Sequence, residues 1–139
     1  MARPQKPVLH RTIRSFLNAP RVARLSTIGK DGYPHIVPID FMRDGDELVF
    51  GSDNGEQKVR NALRNPKGAV TLGGDPAVDD AGYMMQGDLK VEENPDQAVL
   101  RKILRRYQTK REAEKLLPEW ADSERVLIRL TPKEVLRVW

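Results

Sequence analysis

Between Val49 and Lys58 an apolar strand end runs into two small residues, Gly51 and Ser52, then a turn at Gly55, then Lys58 in the first turns of a helix. A hydroxyl, the N–H groups of a helix N-terminus and one ammonium can converge on a single anion, so the layout suits a phosphate. A Gly/Ser loop that merely joins a strand to a helix has the same composition, and these residues alone leave both readings open. Upstream, Tyr33 to Phe41 reads as a strong strand interrupted by Pro38. Proline cannot donate to a ladder, which puts this strand at an edge or a bulge. An edge with unpaired backbone groups can hydrogen-bond the polar rim of a planar heterocycle; an edge proline that blocks aggregation is the alternative.

Other chemistry is narrowed by what is missing. The 139 residues include no cysteine, which excludes disulfides, thiolate nucleophiles and iron–sulfur ligation. His10 and His35 are the two imidazoles, too separated for the usual metal-ligand spacings. Redox chemistry would therefore have to be borrowed from an organic cofactor. His35 reads as a strand histidine facing solvent or a dimer contact, and no residue stands out as an acid or base.

The elements that must position these residues follow from periodicity and turn chemistry. Met1 to Val8 reads as a loose arm and Thr12 to Leu17 as a short helix stopped by Pro20. Arg21–Ile28 and Pro34–Met42 are expected as strands joined by Gly29-Lys30-Asp31-Gly32, and Glu47–Gly51 as a third, completing a three-stranded meander. Glu56–Leu63 fits a helix with Val59, Ala62 and Leu63 on one side, closed by Asn65-Pro66. Gly68–Leu72 and Tyr83–Val91 are the next strands. Asn94-Pro95-Asp96 opens a helix whose apolar series is Val99, Leu100, Ile103, Leu104 and Tyr107. A second helical piece ends at Leu116-Leu117-Pro118, and the last strands, Arg125–Leu130 and Val135–Trp139, are broken at Thr131-Pro132. With short hairpin links, this order implies a mainly β, α+β domain: an antiparallel barrel of six to seven strands carrying helices outside.

In this order, the stretches His35-Ile36-Val37-Pro38-Ile39-Asp40, Val49-Phe50-Gly51-Ser52, Gly55-Glu56-Gln57-Lys58 and Asn65-Pro66 resemble the pyridoxamine 5'-phosphate oxidase-like split-barrel family. Its members bind FMN or the related deazaflavin coenzyme. Thr131-Pro132 to Trp139 resembles the family's closing strand, so the likeness covers nearly the whole chain. It implies that Val37, Pro38 and Ile39 lie against the flavin ring by backbone contacts, Gly51 and Ser52 end the strand at the cofactor, and Ser52 and Lys58 hold the phosphate with Gln57 nearby. It further implies a homodimer with sites between subunits, in which Trp139 approaches the partner's flavin. Where the oxidase pattern carries an arginine, a lysine and another arginine, this chain has His35, Asp40 and Gln57, and Lys58 alone remains of that cationic set. The chain also stops before the basic C-terminal segment that the true oxidases use, so oxidation of pyridoxamine phosphate itself is not expected.

The resemblance therefore implies one flavin- or deazaflavin-dependent domain acting as an oxidoreductase on a small organic substrate. The alternative is a barrel that binds flavin or haem without turnover. Composition adds the remaining expectations. Hydrophobic residues at 39% and charged residues at 32% fit a soluble domain; no apolar stretch approaches a membrane span and Met1–Pro7 lacks a signal core, which points to the cytoplasm. The net charge of +4 is modest. Arg101, Lys102, Arg105, Arg106, Lys110, Arg111 and Lys115 recur at helical spacing, read first as a solvated face and second as an attractor for an anionic substrate or the deazaflavin's acidic tail. Nucleic acid ranks last, because no aromatics interleave with the basic residues.

Overall fold

The computed structural model describes residues 9–122 and 124–139; the expected arm, Met1 to Val8, lies outside them. In chain order the elements are α1 (Arg11–Leu17), β1 (Ala23–Ile28), β2 (Pro34–Ile39), β3 (Phe41–Asp44), β4 (Glu47–Asp53) and α2 (Gln57–Arg64). They continue with β5 (Lys67–Gly73), β6 (Gly82–Glu92), α3 (Gln97–Tyr107), α4 (Lys110–Asp122) and β7 (Arg125–Arg137). The strands form one antiparallel sheet in the order β2-β1-β5-β6-β7-β4-β3. This is the mainly β, α+β split barrel expected from the sequence, with four peripheral helices.

The meander is not formed. Asp40 interrupts the expected strand from Pro34 to Met42, and the two halves go to opposite edges: β2 pairs with β1, while β3 pairs with β4. Ile39 and Phe41 are two residues apart, a reach of at most about 7 Å. The sheet must therefore curl until its two edges meet at this corner, and that curl makes it a split barrel.

Two further differences concern proline. Pro118 does not end a helix but sits inside α4, where it removes one rung of the ladder without stopping the chain. Pro132 does not break the last strand either, for β7 runs continuously to Arg137. The pairing with β4 stops at Leu130, and against β6 the register skips from Pro132 to Glu134, leaving Lys133 as a bulge. A proline is tolerated where one side of the strand is open and the ladder is already irregular. Opposite this point Gly87 is obligatory, since a Cβ there would lie 2.0 Å from the Thr131 carbonyl oxygen.

The barrel interior is filled by Leu25, Phe41, Leu48, Phe50, Val70, Leu72, Met85, Ile128 and Leu130. One end is plugged by Phe16 and Leu17 of α1, the other by Val59 and Ala62 of α2. Leu63, expected on the buried side of α2, is instead 61% exposed, and Asn61 takes the inward place. A second cluster, Val49, Leu127, Leu100 and Ile103, fixes α3 to the outside of β4 and β7. Asp96 caps α3 by accepting from the Ala98 N–H at 2.9 Å.

The C-terminal end of α3 closes the barrel corner. The Tyr107 hydroxyl donates to the Arg21 carbonyl at 2.7 Å and accepts from the Phe41 N–H at 3.2 Å. Arg106 donates to the carbonyls of Phe41, Asn18, Leu17 and Ala19 at 2.9 to 3.2 Å. Part of the expected solvated basic face is thus a structural clamp.

Candidate functional site

The N-terminus of α2 gathers three of the residues singled out above. Ser52, 2% exposed, lies one residue before the end of β4 on the barrel side, and its hydroxyl hydrogen has two acceptors in reach, the Asp53 carbonyl at 3.0 Å and Glu56 Oε2 at 3.5 Å. Lys58 forms an ion pair with the same Glu56 carboxylate, which caps the helix position without bonding its backbone N–H groups. The Lys58 side chain is 12% exposed and that of Glu56 47%, so the ammonium is held in place while its counter-ion lies at the surface. The turn that brings the two together depends on Gly55, whose φ of 85° an ordinary side chain disfavours.

Gln57 points to a different set of partners. Its side-chain nitrogen donates to Asn61 Oδ1 at 2.7 Å, and Asn61 in turn donates to the Thr27 hydroxyl at 3.0 Å. Asn61 and Thr27 are both buried, so α2 is tied to β1 through a polar pair in an otherwise apolar contact. Arg64 adds a donor to Asn61 Oδ1 at 3.0 Å. Beside this network lies a cleft of about 690 Å³, bordered by Gly29, Tyr33, Pro34, His35, Gln57 and Asn61.

His35 lines that cleft, and its Nδ1 is fully buried with no hydrogen-bond partner among the described residues. A buried imidazole nitrogen without a partner costs free energy unless a ligand or water meets it. The sequence reading took His35 for a solvent-facing or interface residue. The alternation along β2 carried the better signal, since His35 shares the inward parity of Val37 and Ile39 while Pro34, Ile36 and Pro38 face out. Asn61 and Glu56 were also passed over. A polar residue between Val59 and Ala62 on the inward side of a helix was the available sign for Asn61.

Val37, Pro38 and Ile39 do lie on an edge strand, paired with Leu25, Arg24 and Ala23 of β1 and with no strand beyond. Gly51 is adjacent to Ser52 in sequence but faces the other way: a Cβ there would lie 3.1 Å from an Arg125 nitrogen and 3.9 Å from Leu100. Its smallness serves the packing of α3. Trp139 is not brought to this cluster within one chain. Ser52 pairs with Val126, and the thirteen residues from there to Trp139 span roughly 40 Å of strand. The tryptophan is half exposed at the opposite end of the barrel, where its backbone pairs with Gly82.

An F420 reductase of solved structure is 28% identical over 88% of this chain and 94% of its own, with a TM-score of 0.70. A conserved hypothetical protein from Mycobacterium tuberculosis is 25% identical over 99% of this chain and 88% of its own, at a TM-score of 0.73. The haem storage protein of Vibrio cholerae shares the fold at 14% identity, covering 94% of this chain and 95% of its own, with a TM-score of 0.69. Among curated protein sequences none matches the chain. The family model for pyridoxamine 5'-phosphate oxidase matches residues 9–139, and the chain belongs to that family.

Proposed function

We propose that this protein binds FMN or the related deazaflavin coenzyme and uses it as an oxidoreductase on a small organic substrate. The observation that carries this reading is the grouping of Ser52, Lys58 and the N-terminus of α2 beside a cleft lined by His35, whose buried Nδ1 has no hydrogen-bond partner among the described residues. These residues fit a phosphorylated, polar-rimmed cofactor. Lys58 and Ser52 would hold its phosphate, His35 would meet a polar atom, and the β2 edge at Val37, Pro38 and Ile39 would lie along the ring. Bound flavin supplies the hydride or electron chemistry, which asks of the protein only binding, orientation and hydrogen bonds.

Glu56 is part of the same account. Its carboxylate occupies the lysine that an incoming phosphate needs, so binding must turn it out into solvent, which its surface position allows. Gln57 acts by fixing Asn61 and so the wall of the cleft. Two copies of the chain would complete the site. The outer face of the sheet carries exposed Ile36, Leu136 and Val138, apolar surface that a second copy would cover, and Trp139 would extend from it to the partner's cofactor.

The test is spectroscopic. Titration of the purified protein with FMN and, separately, with the deazaflavin coenzyme should give a saturable, protein-perturbed visible band for one of them, at one equivalent per chain. If neither spectrum changes while haem gives a saturable Soret shift, the protein is a haem binder of this fold. If all three are inert, the cofactor reading fails.

A further inference from the structure

A second cleft lies at the other end of the barrel, about 500 Å³ in volume, and it is built differently. Arg11, Thr12 and Ser15 of α1 form one wall, Arg21 and Asp80 the rim, and Arg137 at the end of β7 the far side. The Arg21 guanidinium is held in a fixed orientation. Arg21 lies 3.8 Å from the centroid of the Phe16 ring, donates from Nε to the Phe16 carbonyl at 3.0 Å and forms an ion pair with Asp79, whose side chain is 5% exposed. Arg137 donates from Nε to the Trp139 carbonyl at 3.0 Å, which leaves its terminal nitrogens free to turn toward the cleft.

The side-chain charges do not cancel. Asp79 offsets Arg21, and among the described residues that line the cleft Asp80 is the one carboxylate side chain beside Arg11 and Arg137. Two further arginines beside an aromatic base present planar N–H forks suited to paired oxygens. Phe16 and Tyr83, in edge contact at 5.0 Å, supply that base. We infer that this cleft binds a small organic anion, with Arg11 and Arg137 gripping its carboxylate or phosphate group and the hydroxyls of Thr12 and Ser15 completing the contacts. Within one chain this cleft is separate from the candidate cofactor site, which lies at the α2 end of the barrel.

Isothermal titration of the full chain at low ionic strength, with benzoate and with inorganic phosphate as probes, tests it. Arg11 and Arg137 are exposed, so Arg11→Ala and Arg137→Ala should fold normally, which thermal unfolding checks. Saturable binding of at least one probe is expected, weakened about five- to tenfold in either variant. Tighter benzoate binding identifies a carboxylate ligand, tighter phosphate binding a phosphate ester. Binding that is equal in wild type and both variants, or that sodium chloride abolishes at equal ionic strength as readily as either probe, overturns the proposal. Cofactor binding retained in Arg11→Ala alongside its weakened anion binding separates the two sites.

Discussion

Arg106 and Lys58 are both cations on helices flanking the barrel, yet their partners differ in kind. Arg106 directs its donors at four backbone carbonyls around the closing corner, three of them at the last residue of α1 and the two that follow it. Lys58 has one carboxylate partner two residues away, and that partner lies at the surface. Charge density would have ranked the α3 run, with its many basic residues, above a solitary lysine. What separates a structural cation from a binding one is whether its donors are already satisfied by groups that cannot move. Backbone carbonyls fixed in a fold cannot yield to a ligand, whereas an exposed glutamate side chain can.

The sharpest way to break this contrast is Arg106→Ala. Four carbonyls lose the Arg106 donor and the corner keeps Tyr107 as its remaining tie to the end of α3, so stability should fall by about 2–4 kcal/mol, read as a lower urea midpoint. A loss within the error of a surface mutation would show that Arg106 is as dispensable as its exposed neighbours. Lys58→Ala should do the reverse: cofactor affinity drops roughly ten- to a hundredfold while the urea midpoint scarcely moves. A large stability loss with unchanged affinity would make Lys58 structural.

Glu56→Gln refines the same idea. Removing the competing charge should tighten cofactor binding by about two- to fivefold, the size expected for a partly exposed ion pair; weaker binding would mean that the carboxylate positions Lys58 instead of competing for it. Asp40, at the corner between β2 and β3, gives the smallest effect. Desolvation raises its carboxyl above the ordinary value of 3.8. A carboxyl easier to protonate in the native than in the unfolded chain stabilises the native state in acid. That contribution is complete below 3.8 and disappears as the pH rises through the raised value. Asp40→Asn should therefore flatten the stability profile just above 3.8 and be slightly more stable than wild type at neutral pH. A profile parallel to wild type would place the carboxyl in full contact with water.

The neighbouring Tyr107 shows the same desolvation used structurally. Burial is the largest influence on its phenol and raises it above the ordinary value of 10.0, so the hydroxyl keeps the proton it donates to Arg21 across the working pH range. Its role was hidden in the sequence, where Tyr107 read as the last member of an apolar stripe on α3. Helical spacing reports which side faces inward, but not that a ring at the end of the stripe will reach two backbone segments far away in the chain.

Much of the secondary structure was legible for a local reason. Turn residues and the periods of the apolar positions lie within a few residues of one another, so strands β1, β4, β5 and β6 and helices α1, α2 and α3 were visible with small errors at their ends. The edge position of β2 was visible too, in the single residue Pro38. The candidate phosphate group was legible because Ser52, Gly55 and Lys58 are close in the chain, and the likeness of those stretches to a known family, which the family model bears out, supplied the barrel.

Strand partners are another matter. Nothing near Asp40 says that the chain crosses there from one edge of a seven-stranded sheet to the other, because that choice depends on β5, β6 and β7 having filled the space between. The same holds for hydrogen-bond satisfaction. The sequence by itself determined which residue types were available for chemistry, a candidate anion loop in a chain without cysteine and with two histidines. Only the tertiary structure decided that Arg106 is spent on carbonyls, that the buried Nδ1 of His35 has no partner among the described residues, and that Arg11, Arg21 and Arg137 meet in one cleft. A donor's fate depends on groups brought from distant parts of the chain, and that information exists only once the barrel has closed.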